Sequence, residues 1–191
     1  MNGLLEKLKK YNISQDRYQE QSQKLIELGF TQEVADKLIV KGSSEKSVNT
    51  LIEYFEVASK FLTHQQMASL VKHNGGGNNL LSTITHKDTL RQRGLTDQDI
   101  VKMAASNGGS KNIESVLARY DALQKLGFAD QDIVKMAARN GGTQTIEYII
   151  ENQSSIAESG LSCSDIARKC NANSGHARLK AFLSPKASVD A

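Results

Sequence analysis

Four asparagines recur at a spacing of about 33 residues: Asn74, Asn107, Asn140 and Asn173. Each is the second member of a pair whose first member changes every time, as His73, Ser106, Arg139 and Ala172, and Lys41-Gly42 stands at the same place one period earlier. Gly75-Gly76, Gly108-Gly109 and Gly141-Gly142 follow three of the pairs. An asparagine amide N–H can donate to an acceptor such as a purine N7, and glycine amides that open a helix present N–H groups to an anion. That is the chemistry of recognition. Signs of reaction chemistry are missing: His64, His73, His86 and His176 show no metal-ligand spacing with one another or with Cys163 and Cys170. Asn-Gly-Gly also follows a helical stretch where a nucleotide-binding phosphate loop would follow a strand. No catalytic residue, metal, cofactor or small-molecule substrate is expected.

The elements that carry these residues are themselves repeated. DQDIVKMAASNGG, residues 97–109, returns as DQDIVKMAARNGG, residues 130–142, with Ser106 against Arg139 as the single difference. Phe30, Leu62, Leu95, Phe128 and Leu161 mark a period of 32–33 residues, and the copies 95–127 and 128–160 share 15 of 33 positions. Five units follow: 30–61, 62–94, 95–127, 128–160 and a partial one, 161–183. Each reads as two helices. In the third, Thr96 is an N-cap with Asp99 at the capping-box position, and Leu95 can staple onto Ile100. Ile100, Val101, Met103 and Ala104 form a short apolar helix that Gly108-Gly109 stops. Ile113, Val116, Leu117, Tyr120 and Leu123 then mark a longer second helix, and Gly94, Gly127 and Gly160 close their units. One pair of helices cannot bury its apolar face, so neighbouring units must stack. Residues 1–29 read as an N-terminal helical cap and 184–191 as a polar tail.

The stretch LTDQDIVKMAASNGGSKNIESV resembles the repeats of transcription activator-like effectors and of their shorter bacterial and marine relatives. Its Leu-Thr start, Ile-Val-x-Met-Ala helix, variable pair, Gly-Gly and second helix follow that pattern, and the likeness runs from residue 30 to about 183. The resemblance implies an all-α fold, a right-handed superhelical solenoid of about five two-helix repeats that follows the major groove of double-stranded DNA. It implies one base of one strand per repeat. The second residue of each pair touches the base (Gly42, Asn74, Asn107, Asn140, Asn173) and the first supports the loop (Lys41, His73, Ser106, Arg139, Ala172). A loop-borne asparagine with one reachable contact accepts either purine, and the family's His-Asn and similar pairs lean to guanine. Gly42 leaves room for a thymine methyl, so the implied site is 5′-TGGGG, or T followed by purines. Phosphates would be held by the amides of Gly75, Gly76, Gly108, Gly109, Gly141 and Gly142, by Lys111 and Gln144, and less directly by Lys102 and Lys135.

The net charge of +3 permits a polyanionic partner without demanding one. Tryptophan is absent, there is one proline, and aromatic residues make up 5% of the chain, a composition suited to helices. Seven residues along one helix would hold Cys163 and Cys170 about 10 Å apart, too far for a disulfide. No membrane segment is expected. A soluble monomer follows, in a bacterial cytoplasm or, as the resemblance implies for a secreted effector, in a host nucleus. The first unit departs from the pattern, with Ser43-Ser44 in place of Gly-Gly and Glu45 where a phosphate would lie; the last keeps only its second glycine, in Ser174-Gly175. A protein-binding helical array and an RNA-binding array are the alternatives, and the confinement of variation to the loop tip weighs against both.

Overall fold

The computed structural model describes residues 2–42, 44–73 and 75–184, without the side chains of Asn2, Gly3, Lys41 and Gly42. Asn74 and the tail beyond Ser184 therefore lie outside the described residues. Among the described residues are thirteen α-helices, one π-helical turn and no strand. α1 (Asn2–Lys10) and α2 (Gln15–Glu27) precede the repeat; the first unit holds α3 (Gln32–Lys37), the π-helical turn Leu38–Gly42 and α4 (Glu45–Ala58). The second has α5 (His64–Val71) and α6 (Gly76–Gln92), the third α7 (Asp97–Ala104) and α8 (Gly109–Lys125). The fourth has α9 (Asp130–Ala137), α10 (Gly142–Glu151) and α11 (Gln153–Glu158), and the fifth α12 (Cys163–Cys170) and α13 (Gly175–Leu183).

Hydroxyl caps start the first helices of every unit but the fourth. Thr31, Thr63, Thr96 and Ser162 each accept a hydrogen bond from the amide three residues on. Thr63 and Thr96 complete full capping boxes with Gln66 and Asp99. Left-handed glycines end the second helices: Gly29, Gly94 and Gly127 have φ of +89°, +87° and +92°. Beyond them Phe30, Leu95 and Phe128 send their amides back to the carbonyls of Leu25, Leu90 and Leu123, which closes a Schellman turn and aims the next apolar residue inward. Residues 1–29 share this ending. The expected cap is thus a divergent helix pair that closes with the same turn as the units.

The helices form two rows. The π-helical turn, α5, α7, α9 and α12 pack in series, and so do α4, α6, α8, α10 and α13. Between the rows lie Met67, Leu70, Leu80, Met103, Ile113, Met136 and Ile146, all fully buried. Each such side chain contributes roughly 1.5–3 kcal/mol by leaving water, and the helices of successive units pack against one another in both rows. Stacking holds these units together.

Two expectations need correction. Counting forward from Phe30 set Lys41-Gly42 opposite Ser106-Asn107. The second-helix cap lies twelve positions after the first-helix cap in units two to five (Thr63 to Gly75, Thr96 to Gly108, Ala129 to Gly141, Ser162 to Ser174), but thirteen from Thr31 to Ser44. The π-helical turn absorbs the additional residue, as wide helical turns do. The position equivalent to Asn107 therefore moves from Gly42 to Ser43, outside the described residues, and Ser44-Glu45 takes the place of the glycine pair. The second helix of the fourth unit is also not continuous. Asn152, with φ of −115°, breaks it into α10 and α11, and its side-chain amide donates to the Tyr148 carbonyl at 2.8 Å in competition with the backbone.

Candidate nucleic-acid interface

The two glycines of the loop serve different needs. Gly75, Gly108 and Gly141 have φ of +76°, +76° and +84° and cap the second helices from the left-handed region. Gly76, Gly109 and Gly142 are excluded from carrying a side chain by contact: an added Cβ would lie 2.2, 1.9 and 2.4 Å from the carbonyl oxygens of Val71, Ala104 and Ala137. The fifth unit explains which of the two is dispensable. Ser174 there accepts the left-handed conformation at φ +56°, whereas Gly175 stays, because its Cβ would stand 2.3 Å from the Cys170 oxygen.

These turns place Asn107, Asn140 and Asn173 at exposed loop tips. The amides of the second glycines are drawn inward: Gly76 donates to the His73 carbonyl (2.9 Å), Gly109 to Ser106 (3.1 Å) and Gly142 to Arg139 (2.9 Å). The anion-binding role expected of Gly76, Gly109 and Gly142 is therefore taken up by turn closure. The amides of Gly75, Gly108 and Gly141 enter none of these bonds.

The variable first members hold their loops in different ways. Ser106 is buried; its hydroxyl donates to the Met103 carbonyl (3.2 Å) and accepts from the Asn112 amide (3.0 Å). Arg139 is exposed and reaches into the next unit, where its Nε donates to Asn171 Oδ1 at 2.8 Å. His73 is half-buried, and burial first, then the Lys72 charge, holds its imidazole below the ordinary value. Ala172 donates through its backbone to Cys170. The backbone of Lys41 lies in the π-helical turn.

Buried polar side chains that sequence reasoning missed tie adjacent loops together. Ser47 Oγ accepts from the Gly77 amide (3.0 Å), Asn79 Oδ1 from Ser110 (2.9 Å), Asn112 Oδ1 from Thr143 (3.1 Å) and Thr145 Oγ1 from His176 (3.1 Å). At each of the four junctions, the second amide of a second helix, which has no partner within its own helix, thus finds an acceptor in the preceding unit. A signal was present: Asn79 and Asn112 lie 33 residues apart, each three residues after the second glycine, on the face that also carries Leu80 and Ile113. Polar residues repeated on an apolar stripe mark such a ladder.

Charge is divided between the two ends of the units. The first helices of units three to five begin acidic and end basic: Asp97 and Asp99 against Lys102 in α7, Asp130 and Asp132 against Lys135 in α9, and Asp165 against Arg168 and Lys169 in α12. The helix dipole alone favours that order. It also favours acids in the first turns of the second helices, and α6, α8, α10 and α13 have none there. Lys111 and Gln144 stand exposed in the first turns of α8 and α10. Lys102 and Lys111 enter none of the ion pairs among the described residues, whereas Lys135 pairs with Asp132 at 3.1 Å. Glu45, which opens α4, faces Arg17 at 3.5 Å. Cys163 and Cys170 are free thiols at opposite ends of α12. No group of His, Cys, Asp and Glu residues able to hold a metal, and no helix long and apolar enough to cross a membrane, occurs among the described residues. A scan of protein-family models and a search of curated proteins found no match to the chain.

Proposed function

We propose that the loop edge of this array binds double-stranded DNA, with the units wound in a right-handed superhelix along the major groove and one loop opposite each base. The observation that carries the reading is the edge itself. Side by side it holds exposed amides of Asn107, Asn140 and Asn173, cationic first-helix ends, and second-helix starts without a carboxylate in units two to five. Such an edge attracts a polyanion by charge, and its uncharged amides can sort bases. The resemblance to transcription activator-like effector repeats supports the same reading independently.

Roles divide accordingly. Asn107, Asn140 and Asn173, with Asn74, present N–H donors to purines, giving a purine run as the preferred site. Lys102, Lys111, Gln144 and the amides of Gly75, Gly108 and Gly141 approach phosphates. The register change in the first unit puts Ser43 in the reading position, and Glu45 at the adjoining helix start opposes a phosphate. This unit closes the array and reads weakly.

Selection from a random duplex library at low salt tests the reading, followed by Asn107→Gly. An enriched purine run is expected, with a log–log salt slope of roughly −4 for about four phosphates. Asn107→Gly should cost about 1–3 kcal/mol on the selected site and shift preference at one base only. A flat salt response with no enrichment transfers the edge to a protein partner, and an even loss over all sequences makes Asn107 a helix-end residue.

A further inference from the structure

Loop tips can sort bases only if something fixes their position, and the side chain that fixes the third loop belongs to the second unit. Asn79 is 1% exposed, and both halves of its amide cross the junction. Oδ1 accepts from the Ser110 amide at 2.9 Å, and Nδ2 donates to the Ser106 carbonyl at 3.0 Å. That carbonyl also closes the turn by accepting from Gly109. The other ladder members make the first bond but not the second: Ser47 and Thr145 receive only an amide there, and the Nδ2 of Asn112 turns back to Ser106 Oγ in its own unit. The fourth loop is held from the opposite side, by the Ser174 amide on the Asn140 carbonyl (2.9 Å) and by Arg139 on Asn171. In the fifth unit the ladder position is Arg178, exposed and able only to donate, so no acceptor is offered beyond it.

We infer that Asn79 is a positioning residue that sets the placement of the Ser106–Gly109 loop from the preceding unit, so that preference at the third base depends on the second unit as well as on Asn107. Its last clause rests on the DNA reading; the placement of the loop does not. The buried Ser106 carbonyl receives two donors, the Gly109 amide from its own turn and Asn79 Nδ2 from the preceding unit, and the second of these makes the bond a clamp on the loop. The consequence is directional at the loop carbonyls: that of Ser106 is held from the preceding unit and that of Asn140 from the following one.

Asn79→Thr separates the two halves, since a threonine hydroxyl can still receive the Ser110 amide as Thr145 receives that of His176, while the arm to Ser106 is removed. In the full chain without DNA, the Gly109 amide should exchange with solvent about tenfold faster, and the Gly142 amide should be unchanged. In the library selection, preference at the third base should fall about tenfold, with less than about a twofold change at the fourth. Asn79→Ser serves if the threonine variant does not fold. Unchanged Gly109 exchange overturns the inference, and so does equal loosening of Gly109 and Gly142, which would make Asn79 a contributor to general stability. If the wild type sorts no bases but Gly109 alone loosens, the DNA reading fails and the placement stands. If Gly109 loosens and preference at the third base persists, base sorting does not pass through Asn79.

Discussion

Units three and four begin with the same eight-residue helix, DQDIVKMA, and surround it differently. Thr96 caps α7 with a full box, whereas Ala129 leaves α9 without a side-chain cap. Ser106 is folded into its loop; Arg139, at the same position, lies outside and grips Asn171 in the following unit. The residue facing Ser106 in that sense is Ala138, which has no side-chain acceptor, so an arginine at 106 would find no such partner. α8 runs unbroken over 17 residues, and Asn152 divides its counterpart. Both copies still bury the same face: Ile100, Met103 and Ala104 in one, Ile133, Met136 and Ala137 in the other. Identity covers what the core touches and the turn that joins the helices, and extends to the exposed Gln98 and Lys102 against Gln131 and Lys135. Caps and loop supports are free to differ because neighbouring units can supply what a unit lacks.

The largest way to break the comparison is at the glycines. Gly109→Ala drives a Cβ onto the Ala104 oxygen and should cost more than about 3 kcal/mol or prevent folding; Gly142→Ala, with slightly more room, should be somewhat milder. Gly108→Ala meets nothing within 4 Å and strains only its φ, so about 1–2 kcal/mol is expected. Urea denaturation of the three variants orders them, and equal losses at 108 and 109 would refute the contact as the reason for the second glycine. A middle-sized effect comes from making the copies alike. Ala129→Thr should form with Asp132 the box that Thr96 forms with Asp99 and stabilise by about 1 kcal/mol, and Thr96→Ala should lose as much. Unaltered midpoints in both would mean that packing, not capping, sets where these helices start.

The smallest effect is in acid. Burial opposes ionisation of Asp99, but hydrogen bonds from the Thr96 side chain and backbone and from Gln131, with the Lys102 charge, outweigh it and hold the carboxyl below its usual value. A carboxyl depressed in the folded state contributes stability above its unfolded pKa, about 3.9, and loses it as pH falls through the lower folded value. The wild type should therefore lose stability below about pH 4 more steeply than Thr96→Ala, which lacks the main hydrogen-bond donor. Parallel acid curves would show that Asp99 owes nothing to its cap.

Much of the helical plan was legible in the residues. Apolar spacing and the Thr96 cap located α7, the repeat carried that reading to α9, and Gly94 and Gly127 ended the preceding helices where left-handed turns were needed. These are local matters, decided by a residue and its neighbours within one helical turn. The loop tips were also legible, because a varied pair inside a fixed frame is visible in a repeat. What local reasoning could not reach depended on two segments meeting. The additional residue between Thr31 and Ser44 leaves no mark until the π-helical turn shows where it went, since a one-residue insertion can be absorbed on either side of a loop. Gly109 looked like a helix stop, and its constraint is the oxygen of Ala104 across the turn. Asn79 looked like one more polar residue on a helix. Its role comes from the Ser106 carbonyl and the Ser110 amide, about 30 positions away, which stacking brings within hydrogen-bond distance. Composition, period and caps determined which helices form and where they turn; only their packing decided which amides are closed off, which loops are held and from which side.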